Sequence, residues 1–196
     1  MFNPDLTKVN SSVNNALEED IGLGDVTGEL IDPLKFQAAE LICREESVLC
    51  GSSWFDAAFK ILDPNIEIIW NQKEGSFIKK DTVIANLNGN AKCMVASERT
   101  GLNFLQMMSG IAYKTYSYQQ ELLDSETVLL DTRKTIPGLR VAQKYAVLCG
   151  GGGNHRLGLF DAYLLKENHI TAAGSIKAAV QRARSAHPEM AVEVEV

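Results

Sequence analysis

Residues 128–169 constrain the fold more than any other stretch, because two short apolar runs flank a segment of helical length. Val128, Leu129 and Leu130 form the first run; Ala162, Tyr163, Leu164 and Leu165 form the second. Both are too short for helices and lack a 3.6-residue period, so they read as buried strands. Residues 139–148 between them read as a helix, and a glycine run follows at 150–153. Strand, helix, strand in that order is a βαβ unit, whose crossover makes the strands parallel. Parallel strands end on one edge of their sheet, and α/β folds bind ligands at that edge. Arg133 and Lys134 follow the first run and Lys166 follows the second. The edge therefore gathers positive charge.

The rest of the chain is acidic. A formal net charge of −6 disfavours wrapping nucleic acid, so the cationic edge is a local concentration suited to a small anionic ligand. The N-terminus lacks a signal-peptide core, and no run approaches the roughly 20 apolar residues of a membrane span. A cytoplasmic location without membrane or nucleic-acid partners is the expectation. Cys43, Cys50, Cys93 and Cys149 form no Cys-x-x-Cys pair and lie near no histidine at zinc-site spacing, so they read as free thiols in a reducing compartment.

Upstream of the central segment, residues 5–19 read as a helix with Val9, Val13, Ala16 and Leu17 on one face. Residues 36–43, 47–50, 66–70, 82–87 and 91–95 read as short strands around a helix at 54–62, with a turn at Asn88-Gly89-Asn90. Ser97 is placed as the cap of a long helix running to residue 123. That start puts Arg99 in the first turn, where a cation opposes the helix dipole and asks for an anion nearby. A domain boundary is placed near residue 97. Downstream, strands at 128–132, 160–166 and 191–196 alternate with helices at 139–148 and 175–185.

The candidate chemistry sits at the ends of these strands. Arg133 grips carboxylate or phosphate bidentately, and Lys134 acts as a mobile point charge. The glycine run matches neither a dinucleotide fingerprint nor a Walker motif. It would let backbone approach a ligand while His155 and Arg156 reach it. Lys166 can bind an anion or, once desolvated, form a Schiff base. Glu193 and Glu195 share a face of the last strand, and Lys166 is a plausible partner for an acid there. A mainly cationic cluster with one acidic position suits a polyanionic substrate whose transition state develops positive charge at carbon, as in glycosyl transfer.

The segments ALEEDIGLGDVT, ERTGLNFLQMMSGIA, LLDTRKTIPGLR, QKYAVLCGGGGNHRLGLFDAYLLKENHI and VEVEV together resemble the quinolinate phosphoribosyltransferase family. That resemblance implies an α/β fold: an N-terminal helix over 1–25 packing on the barrel, an α/β sandwich over 26–97, and a partial open α/β barrel over 98–196. It implies transfer of phosphoribose from phosphoribosyl pyrophosphate to quinolinate, with loss of carbon dioxide and formation of nicotinate mononucleotide for NAD synthesis. It further implies a homodimer or a higher assembly of dimers. Magnesium is the implied cofactor, its ligands lying past Val196 or on the substrate; no metal ligand is assigned within the chain.

By the same resemblance, Thr132, Arg133 and Lys134 hold quinolinate and His155 and Arg156 add substrate contacts. Lys166 lies close to the reacting centre, and Glu195, or Glu193, lies near the ribose. Lys134, Lys166 and Glu195 form the implied catalytic set. Arg99 is the arginine that reaches the partner's site. Ile136 departs from the family's common threonine, and the implied later strands and phosphate loops do not follow, so the chain is expected to be a C-terminally incomplete member. Three other readings use the same residues. They are a molybdenum-transport-associated paralogue with another acceptor, a Schiff-base aldolase acting through Lys166, and an inactive fragment that only binds or dimerises.

Overall fold

The computed structural model describes residues 4–196. Helix α1 (Leu6–Ile21) starts where the Asp5 side chain accepts a 3.0 Å hydrogen bond from the Thr7 N–H. Its buried face is Val9, Val13 and Leu17, spaced as the 3.6-residue period requires. One 3-10 turn (Gly28–Leu30) follows. Then come β1 (Phe36–Cys43), β2 (Ser47–Val48), α2 (Ser52–Leu62), β3 (Glu67–Trp70), β4 (Phe77–Ile78) and β5 (Thr82–Asn90). Helix α3 (Ala91–Glu121) leads to α4 (Arg140–Cys149), β6 (Tyr163–Leu165), α5 (Glu167–Ala173), α6 (Ile176–Ala186) and β7 (Val192–Val194). Mixed strands and helices in this order make an α/β fold.

The chain divides into two compact units: Met1–Asp131 with Thr135–Gly153, and Thr132–Lys134 with Asn154–Val196. In the first, an antiparallel sheet has the order β1-β5-β3, and β2 pairs with β4. Alternation in β3 sends Ile68 and Trp70 inward and leaves Ile69 exposed. The Trp70 ring meets Phe55 of α2 edge-on at 5.4 Å, so sheet and helix share one core. Helix α1 packs on α2 and α3, and the Trp54 indole N–H donates to Ser12 Oγ at 3.1 Å. On α4, Tyr145 stacks obliquely on Trp54 at 5.5 Å.

Several expectations fail here for physical reasons. Asn88-Gly89-Asn90 is not a turn: β5 runs through it, pairing Asn88, Gly89 and Asn90 with Ala38, Gln37 and Phe36. Glycine is required at 89 because a Cβ there would lie 2.7 Å from Ile66 Cγ1. Residues 91–95 are helical, not extended, since Asn90 caps α3 by accepting from the Cys93 N–H at 3.1 Å. Ser97 is therefore no cap. It is fully buried inside the helix, its hydroxyl donating back to the Cys93 carbonyl at 2.7 Å. The boundary placed at 97 falls within a continuous helix, and Arg99 sits two turns in, where the argument from the dipole lapses.

The run 128–130 forms only a single parallel bridge, Leu130 to Gly153, closed by Gly153 N–H to Leu129 O at 2.8 Å and Asp131 N–H to Gly153 O at 3.2 Å. The glycines, too, serve packing. A Cβ at Gly150 would lie 2.6 Å from Thr115 Cβ and would overlap the Ala112 carbonyl, so the chain leaving α4 can touch α3 only without a side chain. In the second unit β6 and β7 are parallel, pairing Tyr163, Leu164 and Leu165 with Val192, Glu193 and Val194. No helix among the described residues is long and apolar enough to cross a membrane.

Candidate functional site

Lys166 is the first residue past β6 and Glu195 the first past β7. Parallel pairing brings these two strand ends side by side, and the Glu195 N–H donates to the Leu165 carbonyl at 2.8 Å. The side chains then meet: Lys166 Nζ donates to Glu195 Oε2 at 2.7 Å. The Lys166 backbone is fixed by α5, whose His169 Nδ1 accepts from the Lys166 N–H at 3.0 Å. The hydrogen bond from Lys166, its charge and the charge of Lys134 hold the Glu195 carboxyl below the usual glutamate value of 4.5. The predicted partnership of Lys166 with an acid on the last strand is thus present.

Glu193, two residues back on the same face, takes a different partner. Its Oε2 lies 2.8 Å from His155 Nε2. Nothing in the sequence pointed to that contact, because 38 residues separate the two. Arg156 Nη1 donates to the Ala162 carbonyl at 3.2 Å. The Lys134 N–H donates to Thr132 Oγ1 at 3.0 Å, a small turn that sets the direction of the loop. Arg133 is half-buried, and its Nε is the one buried side-chain polar atom among the described residues without a hydrogen-bond partner.

Thr132, Arg133, Lys134, His155, Arg156, Lys166 and Glu195 therefore all belong to the second unit, while Arg99 lies exposed on α3 in the first. This set carries four permanent cations, Arg133, Lys134, Arg156 and Lys166, against one carboxylate, Glu195, an excess suited to an anionic ligand. Buried donors are almost always satisfied, so the orphaned Arg133 Nε marks a place for an acceptor from outside the chain.

A residue missed in the sequence supports the base of this loop. Lys144 of α4 is buried and forms an ion pair with buried Asp131, which immediately precedes Thr132. The signal was legible in principle: a lysine on the apolar face of a predicted helix demands a counter-ion.

Magnesium asks for hard oxygen ligands. Glu195 already engages Lys166, and its neighbour Glu193 engages His155. The one group of potential ligand side chains close enough to share an ion, among the described residues, is Cys50, Glu74 and Cys149 in the first unit, and it is thiol-rich. The residues present do not form a magnesium cage.

Comparison with known proteins identifies the family and the fold. Family models describing the N-terminal and C-terminal domains of quinolinate phosphoribosyl transferase match residues 25–109 and 111–196. A probable nicotinate-nucleotide pyrophosphorylase [carboxylating] of Bacillus subtilis (strain 168) is 42% identical over 94% of this chain and 64% of its own length. A chloroplastic nicotinate-nucleotide pyrophosphorylase [carboxylating] of Arabidopsis thaliana is 41% identical over 92% of the chain and 53% of its own length. The structure of the nicotinate-nucleotide pyrophosphorylase from Francisella tularensis superposes with a TM-score of 0.95 at 45% identity, covering 99% of this chain and 69% of that one. The chain thus spans under two thirds of the length of these curated relatives. Two adjacent family matches covering nearly all of its residues leave no ambiguity of kinship: the chain belongs to the quinolinate phosphoribosyl transferase family.

Proposed function

We propose that this protein transfers the phosphoribosyl group of phosphoribosyl pyrophosphate to quinolinate, releasing pyrophosphate and carbon dioxide and leaving nicotinate mononucleotide for NAD synthesis. The observation that supports the reading is the Lys166–Glu195 pair at the ends of two parallel strands, with the charge of Lys134 acting on Glu195, together with a buried Arg133 Nε without a partner. Quinolinate is a pyridine dicarboxylate, and Arg133, Lys134, Arg156 and His155 supply the donors that two adjacent carboxylates need. Thr132 fixes the Lys134 backbone, and Arg99 is assigned a contact across a homodimer.

In the bond-forming step the pyridine nitrogen attacks the anomeric carbon as pyrophosphate departs. Positive charge grows on the ribose ring, and Glu195, kept ionised by Lys166, stabilises it. Lys166 neutralises oxygens of the departing group. The carboxyl next to the ring nitrogen then leaves as carbon dioxide; its bonding pair stays on the ring carbon, stabilised by the adjacent cationic nitrogen, and takes up a proton from water. Magnesium would arrive with the pyrophosphate oxygens, since it prefers substrate phosphates to all-protein cages. The four free cysteines support a cytoplasmic setting.

The Schiff-base alternative fits less well. Lys166 is 46% exposed and hydrogen-bonded to a carboxylate, the opposite of a desolvated amine. The test is direct. Quinolinate binding is measured calorimetrically, and nicotinate mononucleotide formation is followed with both substrates and magnesium. Exchanging Lys134 and Arg156 together for alanine removes two charge-assisted contacts and is expected to weaken quinolinate binding about a hundredfold or more. Unchanged quinolinate affinity in that double variant would overturn the assignment.

A further inference from the structure

Three segments far apart in sequence converge in the first unit. Cys50 follows β2, Glu74 lies in the turn between β3 and β4, and Cys149 ends α4. Their sulfur and carboxylate oxygen atoms all lie within 4.8 Å of one another. Cys50 is fully buried. Its backbone is clamped on both sides by Ser109, whose Oγ accepts from the Cys50 N–H at 3.1 Å and donates to the Cys50 carbonyl at 3.1 Å. Glu74 is held as firmly. Its Oε1 accepts from the Gly51 N–H at 2.7 Å and its Oε2 from the Ser52 N–H at 3.2 Å, at the start of α2. Each carboxylate oxygen has a second lone pair, so these bonds orient Glu74 without using it up. The Cys50 backbone and the Glu74 carboxylate are thus held in place by contacts to neighbouring atoms, and the Cys149 sulfur lies within reach of both side chains.

We propose that Cys50, Glu74 and Cys149 form a binding site for a thiophilic divalent cation of the zinc class, separate from the phosphoribosyl-transfer residues. Zinc takes sulfur at about 2.3 Å and carboxylate oxygen at about 2.0–2.2 Å in a tetrahedron. Ligand atoms around such an ion stand under 4 Å apart, on the order of the spacing seen here, so small side-chain adjustments complete the site. Two thiolates select against magnesium and calcium. Two cysteines and one glutamate leave a fourth position for water. Both thiols lose their protons when the metal binds, so affinity rises with pH.

Cobalt(II) replaces zinc and reports thiolate ligation by absorption. Reduced protein, its thiols confirmed free by titration, is expected to bind one equivalent of cobalt with a sulfur-to-metal charge-transfer band. Zinc should bleach that band and excess magnesium should not. Cys149→Ser and Cys50→Ser should each abolish it, while Cys43→Ser and Cys93→Ser should leave it intact. Glu74→Gln should keep the band and weaken affinity roughly tenfold or more. Zinc should also raise the melting temperature of the parent and not of Cys149→Ser, which covers the case in which Cys50→Ser fails to fold. Absence of the band at one equivalent, or its persistence in Cys149→Ser, would overturn the proposal.

Discussion

The two units divide labour in a way their packing makes plain. The first buries Trp54, Phe55, Phe59, Phe104 and Met108 among helices and an antiparallel sheet. In the second, the buried hydrophobic residues are Leu165, Ala179 and Ala183 alone, while Leu159 and Phe160 lie exposed. Nearly every residue assigned to substrate lies in the second. A rim of charged side chains cannot also be a dry core, because each charge must keep water or a partner. The region that holds most of the buried core and the region proposed to meet the ligand are therefore different stretches of sequence, as expected when binding surfaces come from the less stable part of a structure.

Mutations can break or sharpen that contrast. The largest effect should come from Lys144→Ala in the first unit, which takes the buried lysine cation away from the buried Asp131 carboxylate. A loss of about 3–5 kcal/mol in urea-induced unfolding is expected. A loss below 1 kcal/mol would mean that the pair is not desolvated. Gly89→Ala comes next. Its new methyl meets Ile66 within the sheet, so about 1–3 kcal/mol of stability should be lost, read as a lower denaturation midpoint. Lys166→Ala should leave stability almost unchanged, since the pair with Glu195 is exposed and screened by water, yet it should abolish measurable product formation. A large stability loss with activity retained would reverse the roles given to the two units.

The smallest effect is on the acid limb. Lys166 lowers the Glu195 pKa in the folded state, so the pair's contribution is fully present above the ordinary value of 4.5 and fades as pH falls through the lowered folded value. Glu195→Gln should therefore cost a little stability near neutrality, with the difference from the parent shrinking away as pH falls well below 4.5. A difference that is the same at pH 7 and in strong acid would contradict this.

How much of this was legible depended on whether an interaction was local. Periodicity placed α1, α2 and β1 within a few residues, because their buried faces repeat along the chain. The junction at Asn90 was misread because Asn-Gly is a turn signal when read locally. At Gly89 the deciding neighbour, Ile66, is 23 residues away. Ser97 and Asn90 are both capping residues by type, and only the buried position of Ser97 separates them. The lysine–glutamate pair at the strand ends was foreseeable from strand order. The His155–Glu193 contact and the Cys50, Glu74 and Cys149 cluster were not, since both depend on how distant loops fold back.

Helix α3 has one more consequence. Its 31 residues make a rod of roughly 46 Å, and the seam between the two family matches, at residue 110, falls inside it. What looks like a joint between modules is one unbroken shaft. Met108 and Ala112, both fully buried, stand on either side of that seam. Halves produced separately would each carry a frayed stump with an apolar flank bared to water, so neither piece should behave as an autonomous protein.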